Sequence, residues 1–485
     1  MIVGQISALD LAIVAVYLIV MVVVGVCLAQ RIRNTDDFYV AGRSLGPFVL
    51  MATVCATTLG GSAMLGRAGI AYTEGFKCVA TAIPYMIGMF AFSAYAGRIQ
   101  QVGERYGVRS IPELFGRRFG NAAKCLLSAM VAFAMMGTVA AQVTATATII
   151  KLLGGQAGIS YEAGALIATV IFLVYTAASG MIGVVYTDVI QFVVLITFVY
   201  ILVPTAGLNS LGGFGSFWSA LDKSYLIPHI DGSILGDIVT YLVFTMAGAE
   251  MWQRAFAAKD GKTARQGMFL GTTVYAVTIV LVLLMGLMAQ QILPDVVNEY
   301  GSPDAVIPAL AITILPPGLT GLALAGILSV MMSTADSYLL VSVQTLVHDI
   351  GTIFQPKMTE RQEIRWSRRL SVILALGALA IALYIKSAYD VLMFAWAFYA
   401  AAVGLPAMAA LFWRKATAFG ILAGMIGGFA VTVGWKLAGQ PFGLGATVPG
   451  TIACAVALVT VSLATYMRYP APYLNSGSPH AKKLP

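Results

Sequence analysis

The chain has 485 residues, 59% of them hydrophobic and only 10% charged, with a net charge of +8. Soluble domains carry about a quarter charged residues, so this composition excludes a water-soluble globular protein and points to a bilayer. The basic balance is accounted for by membrane topology and does not call for nucleic acid.

Apolar stretches of about 20 residues mark thirteen expected spans. They lie near 8–29, 47–73, 78–97, 124–152, 161–179, 183–206, 236–257, 266–291, 317–346, 369–386, 389–412, 416–437 and 447–467. The expected fold class is an all-α integral membrane protein. The first span is too long, and lacks the basic leader, for a cleaved signal peptide, so it is expected to stay as a helix. With the N-terminus outside, alternation gathers the lysines and arginines into inner segments, all except Arg67, Lys77, Lys151, Lys223, Lys386 and Lys436. That is the positive-inside pattern, and it makes the C-terminus cytoplasmic. The inner loop at 98–123 is expected to form a short amphipathic helix. The outer connections at 207–235 and 292–316 are expected to cover a site from outside. The tail, 468–485, is expected to be disordered. Cys27, Cys55, Cys78, Cys125 and Cys454 lack CxxC spacing and read as small core residues. His229, His348 and His480 all fall in or beside predicted loops. That speaks against paired haem ligands, and so against a respiratory subunit or membrane enzyme.

Two polar strings interrupt apolar runs, residues 56–62 in the second span and 331–337 in the ninth. Hydroxyls, carboxylates and loosened backbone are costly in hydrocarbon unless they face a protein-lined site. One break in each half of the chain points to an ion and solute site at mid-bilayer. The second span breaks at Gly60-Gly61 and the seventh at Ala247-Gly248-Ala249. These spans open two five-span units, 47–206 and 236–412, and an odd number of spans inverts the second relative to the first. Glycine at such breaks either frees backbone groups for a ligand or merely permits close packing, and both readings stay open.

Val330, Ser333, Thr334 and Ser337 share one helix side. With the carbonyls of Ala56 and Leu59 they can replace the water shell of a small cation such as sodium, or simply bond back to the preceding turn. Asp188, at the entry of the sixth span, must pair, protonate or bind a cation, unless it caps a helix beside Thr187. Asp336 lies deeper in its span. Glu250 and Arg254 have the spacing of an i,i+4 ion pair. Arg67 is open to a substrate carboxylate or to Glu74. Gln142, Trp252, Trp396 and Tyr399 are candidates to line a cavity, with packing or interface anchoring as the alternative.

The chain resembles the sodium:solute symporter family over nearly its whole length. The resemblance is carried by the run from Asp36 to Gly46 (DDFYVAGRSLG), by Ala56 to Gly61 (ATTLGG), by Tyr186 to Gln191 (YTDVIQ) and by Met332 to Ser337 (MSTADS), in that order and spacing. It implies a LeuT-type inverted five-helix repeat in a single transmembrane domain. One leading helix (8–29) precedes the units at 47–206 and 236–412, and two trailing helices (416–467) follow. It implies Na+ as coupling ion, held by carbonyls of Ala56, Leu59 and Val330 and hydroxyls of Ser333 and Thr334. A second sodium would fall at Asp188, Asp336 and Ser337, where a carboxylate at 336 replaces a hydroxyl and leaves a proton or a salt bridge as alternatives. Thr57, Thr58, Ser62, Gln142 and Trp252, with the backbone of Gly60, Gly61 and Gly248, are the substrate-contact candidates.

Proline, pantothenate, choline, monocarboxylates, sugars and sialic acid all move through this family. The fourth span holds no arginine to clamp an acidic sugar. No tryptophan stands beside 58–62 or 246–249 to build a choline cage. The run from Asp304 to Pro308, with Leu315, Pro316 and Pro317, resembles the proline and pantothenate branch. The expected protein is a symporter and not an enzyme, in a bacterial inner membrane. It imports a small carboxylate-bearing or zwitterionic solute such as proline, another amino acid or pantothenate by alternating access. Its partners are solute, sodium and lipid, with no nucleic acid, and its oligomeric state is open. A carrier of a sugar, a choline-like cation or a monocarboxylate, a channel, and a solute sensor on the same scaffold are the alternatives.

Overall fold

The computed structural model describes residues 6–154, 159–227, 232–385 and 388–474, so the expectations for His229, Lys386, His480 and residues 475–485 lie outside the described residues. The described regular structure is helical, apart from one isolated bridge between Leu45 and Ala258. α1 (Ala8–Leu28) and the short α2 (Thr35–Val40) precede α3 (Pro47–Thr58). Pro47 opens α3 at a position where no backbone N–H is needed. A π turn over Ser62–Gly66 leads into α4 (Arg67–Glu74), and α3 and α4 are bent by 63° at the break. α5 (Lys77–Tyr106) stops at Gly107, whose φ of +64° suits glycine. The expected amphipathic helix is α6 (Ile111–Phe119), capped by Ser110 on the Glu113 N–H at 3.0 Å.

α7 (Asn121–Leu153) and α8 (Tyr161–Leu195) follow. α8 turns at Gly180, where φ is +52° and a Cβ would lie 2.7 Å from the Phe38 carbonyl oxygen. α9 (Leu202–Ser210) and α10 (Phe214–Ala220) end the first half. The second half runs α11 (Gly232–Ala247), α12 (Ala249–Ala257), α13 (Gly261–Ile292), α14 (Val296–Tyr300), α15 (Val306–Ile314) and α16 (Leu319–Gln344). A π stretch over Thr345–Gly351 extends α16 into α17 (Thr352–Phe354). α18 (Glu360–Tyr384), α19 (Ala388–Phe412), α20 (Ala418–Leu437) and α21 (Thr447–Thr465) complete it. Eleven described helices are long and apolar enough to cross a membrane, and the bent α3–α4 pair makes a twelfth. The expected span at 161–179 is the part of α8 before its turn at Gly180.

α16 is the hub. It packs on α7, α8, α1, α3 and α18, and its apolar stretch is wholly buried, whereas those of α1 and α21 face largely outward. Its start is completed by another helix. The N-cap Gly318 has no side chain, and the buried Asp10 of α1 supplies the missing acceptor. Asp10 Oδ1 accepts the N–H groups of Gly318 at 2.7 Å and Gly321 at 2.8 Å. A carboxylate there satisfies two orphan donors and opposes the helix dipole.

Disorder from residue 468 is not what the structure has. Tyr473 lies over the guanidinium groups of Arg98, Arg118 and Arg414 at 5.1–5.7 Å, and Leu474 is buried. The cationic loop offers that ring three partners, which composition alone does not reveal. Arg118 also caps the end of α19, donating to the carbonyls of Ala409 (3.1 Å), Ala410 and Trp413 (2.6 Å). Burial pushes its guanidinium down to about 10, still cationic at neutral pH. On the opposite face the connections at 207–227 and 292–316 reach the α4–α5 corner. There Phe76 donates to the Tyr225 carbonyl at 2.8 Å, and Pro303 packs against Gly69.

Asp10→Ala leaves two buried amide groups without their acceptor, at about 1–3 kcal/mol each. The expected outcome is a fall of several degrees in the unfolding midpoint of the detergent-purified protein, with Asp10→Asn retaining part of the loss.

Candidate functional site

The two polar strings meet. Ser333 Oγ lies 3.0 Å from the Ala56 carbonyl and 3.0 Å from that of Val330, while Thr334 Oγ1 donates to the Thr57 carbonyl at 3.1 Å. The hydroxyls of α16 thus reach the carbonyls that α3 leaves open where it breaks. Close approach is why glycine stands at the break. A Cβ on Gly60 would lie 2.8 Å from Thr334 Oγ1, and one on Gly61 would lie 2.5 Å from Met331 Sδ. The Gly61 N–H donates to Gln142 Oε1 at 2.7 Å, so Gln142 of α7 pins the break. Both readings of the glycines therefore hold at this seam, since the packing is tight and the freed backbone groups are in use. Ser62 was another contact candidate, and its side chain lies outside the described residues.

The second break, at Gly248 between α11 and α12, is pinned in the same manner. Tyr399 donates to the Ala247 carbonyl at 2.7 Å, and the Trp252 indole to that of Met246 at 3.1 Å. The polar atom of Trp252 is therefore engaged within the protein.

Asp188, Ser337 and Thr57 come together, around a group that sequence spacing assigned elsewhere. Arg254 does not form the expected side-chain pair with Glu250; it meets Glu250 at the backbone carbonyl, 3.3 Å away. Its Nη2 pairs with Asp188 Oδ2 at 3.3 Å and donates to Ser337 Oγ at 2.6 Å and to Thr57 Oγ1. Its Nε reaches Thr53 Oγ1 at 3.1 Å, and Thr53 in turn donates to Asp188. Asp188 is no helix cap either, because it sits well inside α8 and Thr187 bonds back to Gly183 at 2.9 Å. Asp336 Oδ1 lies 3.3 Å from Ser337 Oγ, and the Glu250 carboxylate faces the Tyr338 hydroxyl.

Arg67 turns inward. Glu74 pairs with Lys77 at 2.5 Å, and the Arg67 guanidinium lies 4.9 Å from the Tyr241 ring centre and 6.0 Å from that of Tyr85. Thr58, Ala63, Arg67, Tyr85, Tyr241, Tyr275, Leu392 and Trp396 enclose a chamber of about 10 Å³. That is room for a single water at most, too little for an organic solute. Its rings come from α5, α11, α13 and α19, too far apart in sequence for a local pattern to join them; only Trp396 was anticipated as a cavity residue.

The sodium:solute symporter family model matches residues 38–428. The chain belongs to that family: it is an integral membrane, sodium-coupled solute symporter. It is 25% identical over 465 residues to the osmoregulated proline transporter OpuE of Bacillus subtilis, covering 93% of this chain and 94% of that one. It is 27% identical to the sodium/proline symporter of Escherichia coli, covering 92% and 91%. It is 28% identical to the sodium/pantothenate symporter of Haemophilus influenzae, covering 80% and 82%. In structure it resembles a sodium-coupled sialic acid symporter in a substrate-bound, outward-open state, with TM-score 0.82, 17% identity and coverage of 97% and 100%. A closed form of Mhp1, a nucleobase-cation-symport-1 transporter, gives TM-score 0.60 at 13% identity, covering 89% and 95%. These likenesses establish the LeuT-type helical fold.

Removing one partner of a buried ion pair costs about 3–5 kcal/mol, whereas replacing both with neutral groups is often tolerated. Arg254→Met should therefore sharply reduce the yield of monodisperse protein, and adding Asp188→Asn should restore much of it, as read by gel filtration and thermal unfolding.

Proposed function

We propose that the chain imports a small carboxylate-bearing or zwitterionic metabolite, in the class of proline, other amino acids and pantothenate, together with sodium. The observation that carries this reading is the seam between α3 and α16, where Ser333 and Thr334 reach the carbonyls of Ala56 and Thr57 within 3.1 Å. In that seam the hydroxyl protons bridge to carbonyl oxygens. A sodium ion entering between them turns those protons away and takes the lone pairs of Ser333, Thr334, Ala56 and Val330, with Leu59 completing the shell. Its binding ties the broken helix to the hub helix and favours the outward-open form. Loss of sodium to a low-sodium interior loosens the same seam and releases solute inward.

The orientation proposed is N-terminus outside and C-terminus cytoplasmic, in a bacterial inner membrane, from the arginine-rich face that holds α6 and the end of α16. Each sodium entering at −100 mV contributes about 2.3 kcal/mol from voltage alone. Of the positions expected for a second sodium, Asp188 and Ser337 hold the Arg254 guanidinium, a cation built into the chain, and Asp336 Oδ1 lies 3.3 Å from Ser337 Oγ. One sodium per solute is the stoichiometry this favours.

Arg67 is the proposed anchor for the substrate carboxylate, with Thr57, Thr58 and the backbone at Gly60, Gly61 and Gly248 as its surroundings once the chamber opens. A guanidinium over Tyr241 and Tyr85 already takes the place that a quaternary ammonium would need in an aromatic cage. A choline-like substrate is disfavoured on that ground.

Uptake into proteoliposomes with a sodium gradient and a panel of labelled amino acids and carboxylates tests the function; uptake indifferent to sodium across the panel would sink it. Ser333→Ala and Thr334→Ala should each raise the sodium concentration for half-maximal uptake at least tenfold, and wild-type activation should be hyperbolic, not sigmoidal. Arg67→Gln should raise the KM for the solute more than tenfold while leaving half-saturation by sodium within about twofold, a difference of some 0.4 kcal/mol.

A further inference from the structure

On the arginine-rich face a second cluster of donor atoms lies away from the transport seam. His348 and Asp349 are neighbours in the π stretch Thr345–Gly351, and both are buried, although sequence placed His348 at a loop. π turns inside helices are rare and frequently mark functional sites. His348 Nδ1 meets Glu363 Oε1 of α18 at 2.7 Å, and its Nε2 lies 3.4 Å from Glu113 Oε2 of α6. Asp349 Oδ1 accepts from Ser110 at 2.7 Å, while its Oδ2 is fully buried with no hydrogen-bond partner. One donor atom each from Glu113, His348 and Asp349 lie within 4.8 Å of one another. Lys124 and Arg109 are the cations whose charge reaches this group.

A carboxylate on one imidazole nitrogen, with the other nitrogen aimed at further carboxylates, is the arrangement that orients histidine toward a metal. Glu363 fixes the ring so that Nε2 faces Glu113 Oε2, and a carboxylate oxygen of Asp349 completes the cluster within 4.8 Å. A buried carboxylate oxygen without a hydrogen-bond donor is costly, and a bound cation relieves it. The imidazole selects against calcium and magnesium, which prefer all-oxygen shells, and for zinc-like ions of the first transition row.

We propose that Glu113, His348 and Asp349, with Glu363 orienting the histidine, form a binding site for one divalent transition-metal ion of the zinc class. Zinc–ligand distances near 2.0–2.2 Å place tetrahedral ligand atoms about 3.3 Å apart. The ion therefore draws α6 toward the end of α16 and the start of α18, and it acts as a clasp on the helix that carries Ser333 and Thr334.

The test uses the full chain, purified in detergent and stripped with chelator, and needs neither sodium nor solute, so it stands apart from the transport reading. Titration with Co2+ should give one ion per chain with visible d–d absorption, displaced by Zn2+. Asp349→Asn and His348→Gln should each weaken Zn2+ binding more than tenfold, and Glu363→Gln by tenfold to a hundredfold. Wild-type protein that takes up no stoichiometric Co2+ overturns the proposal, whatever the variants do. So does a well-folded His348→Gln protein that binds Zn2+ as tightly as wild type.

Discussion

A helix that breaks inside hydrocarbon has carbonyls and amides with no water to meet, and the rest of this structure is arranged around supplying their partners. The Ala56 and Thr57 carbonyls meet hydroxyls of α16, and the Gly61 amide meets Gln142 of α7. At the other break the carbonyls of Ala247 and Met246 meet Tyr399 and Trp252. Every one of these partners is a side chain that can let go. A helix with an unbroken hydrogen-bond ladder would be more stable and would have nothing to exchange for an ion.

Two arginines give the interior its electrostatic layout. Arg254 lies among Asp188, Ser337, Thr57 and Thr53, so a cation is present beside the seam between α3 and α16. Arg67 lies among tyrosine rings on the other side of the α3–α4 bend. The seam thus runs between a cation held by carboxylate and hydroxyl oxygens and a cation held by π faces. Solvation of both guanidinium groups by fixed dipoles keeps them tolerable in a buried site.

The hub role of α16 follows from its contents. Its hydroxyls and Asp336 would be expensive against lipid, and the helix is enclosed over its whole apolar stretch. Enclosure gives it contacts with both halves of the protein, and Asp10 of the leading helix secures its start. A shift of α16 is therefore felt at the seam, at Arg254 and at the cluster around His348.

Hydropathy and charge bias by themselves determined the all-helical membrane fold and the approximate spans, and the two polar strings, with the family resemblance, pointed to the meeting of the α3 break with Ser333 and Thr334. Those features repeat along the chain or stand out locally, because lipid penalises each segment independently. Only the tertiary structure decided that Arg254 reaches Asp188 instead of Glu250, that Arg67 enters an aromatic chamber, and that Asp10 caps α16. The rings, acids and hydroxyls involved are separated by tens to hundreds of residues. Which of them meet depends on how helices rotate and cross, and a helix's own sequence narrows its buried face without naming the residue on the other side.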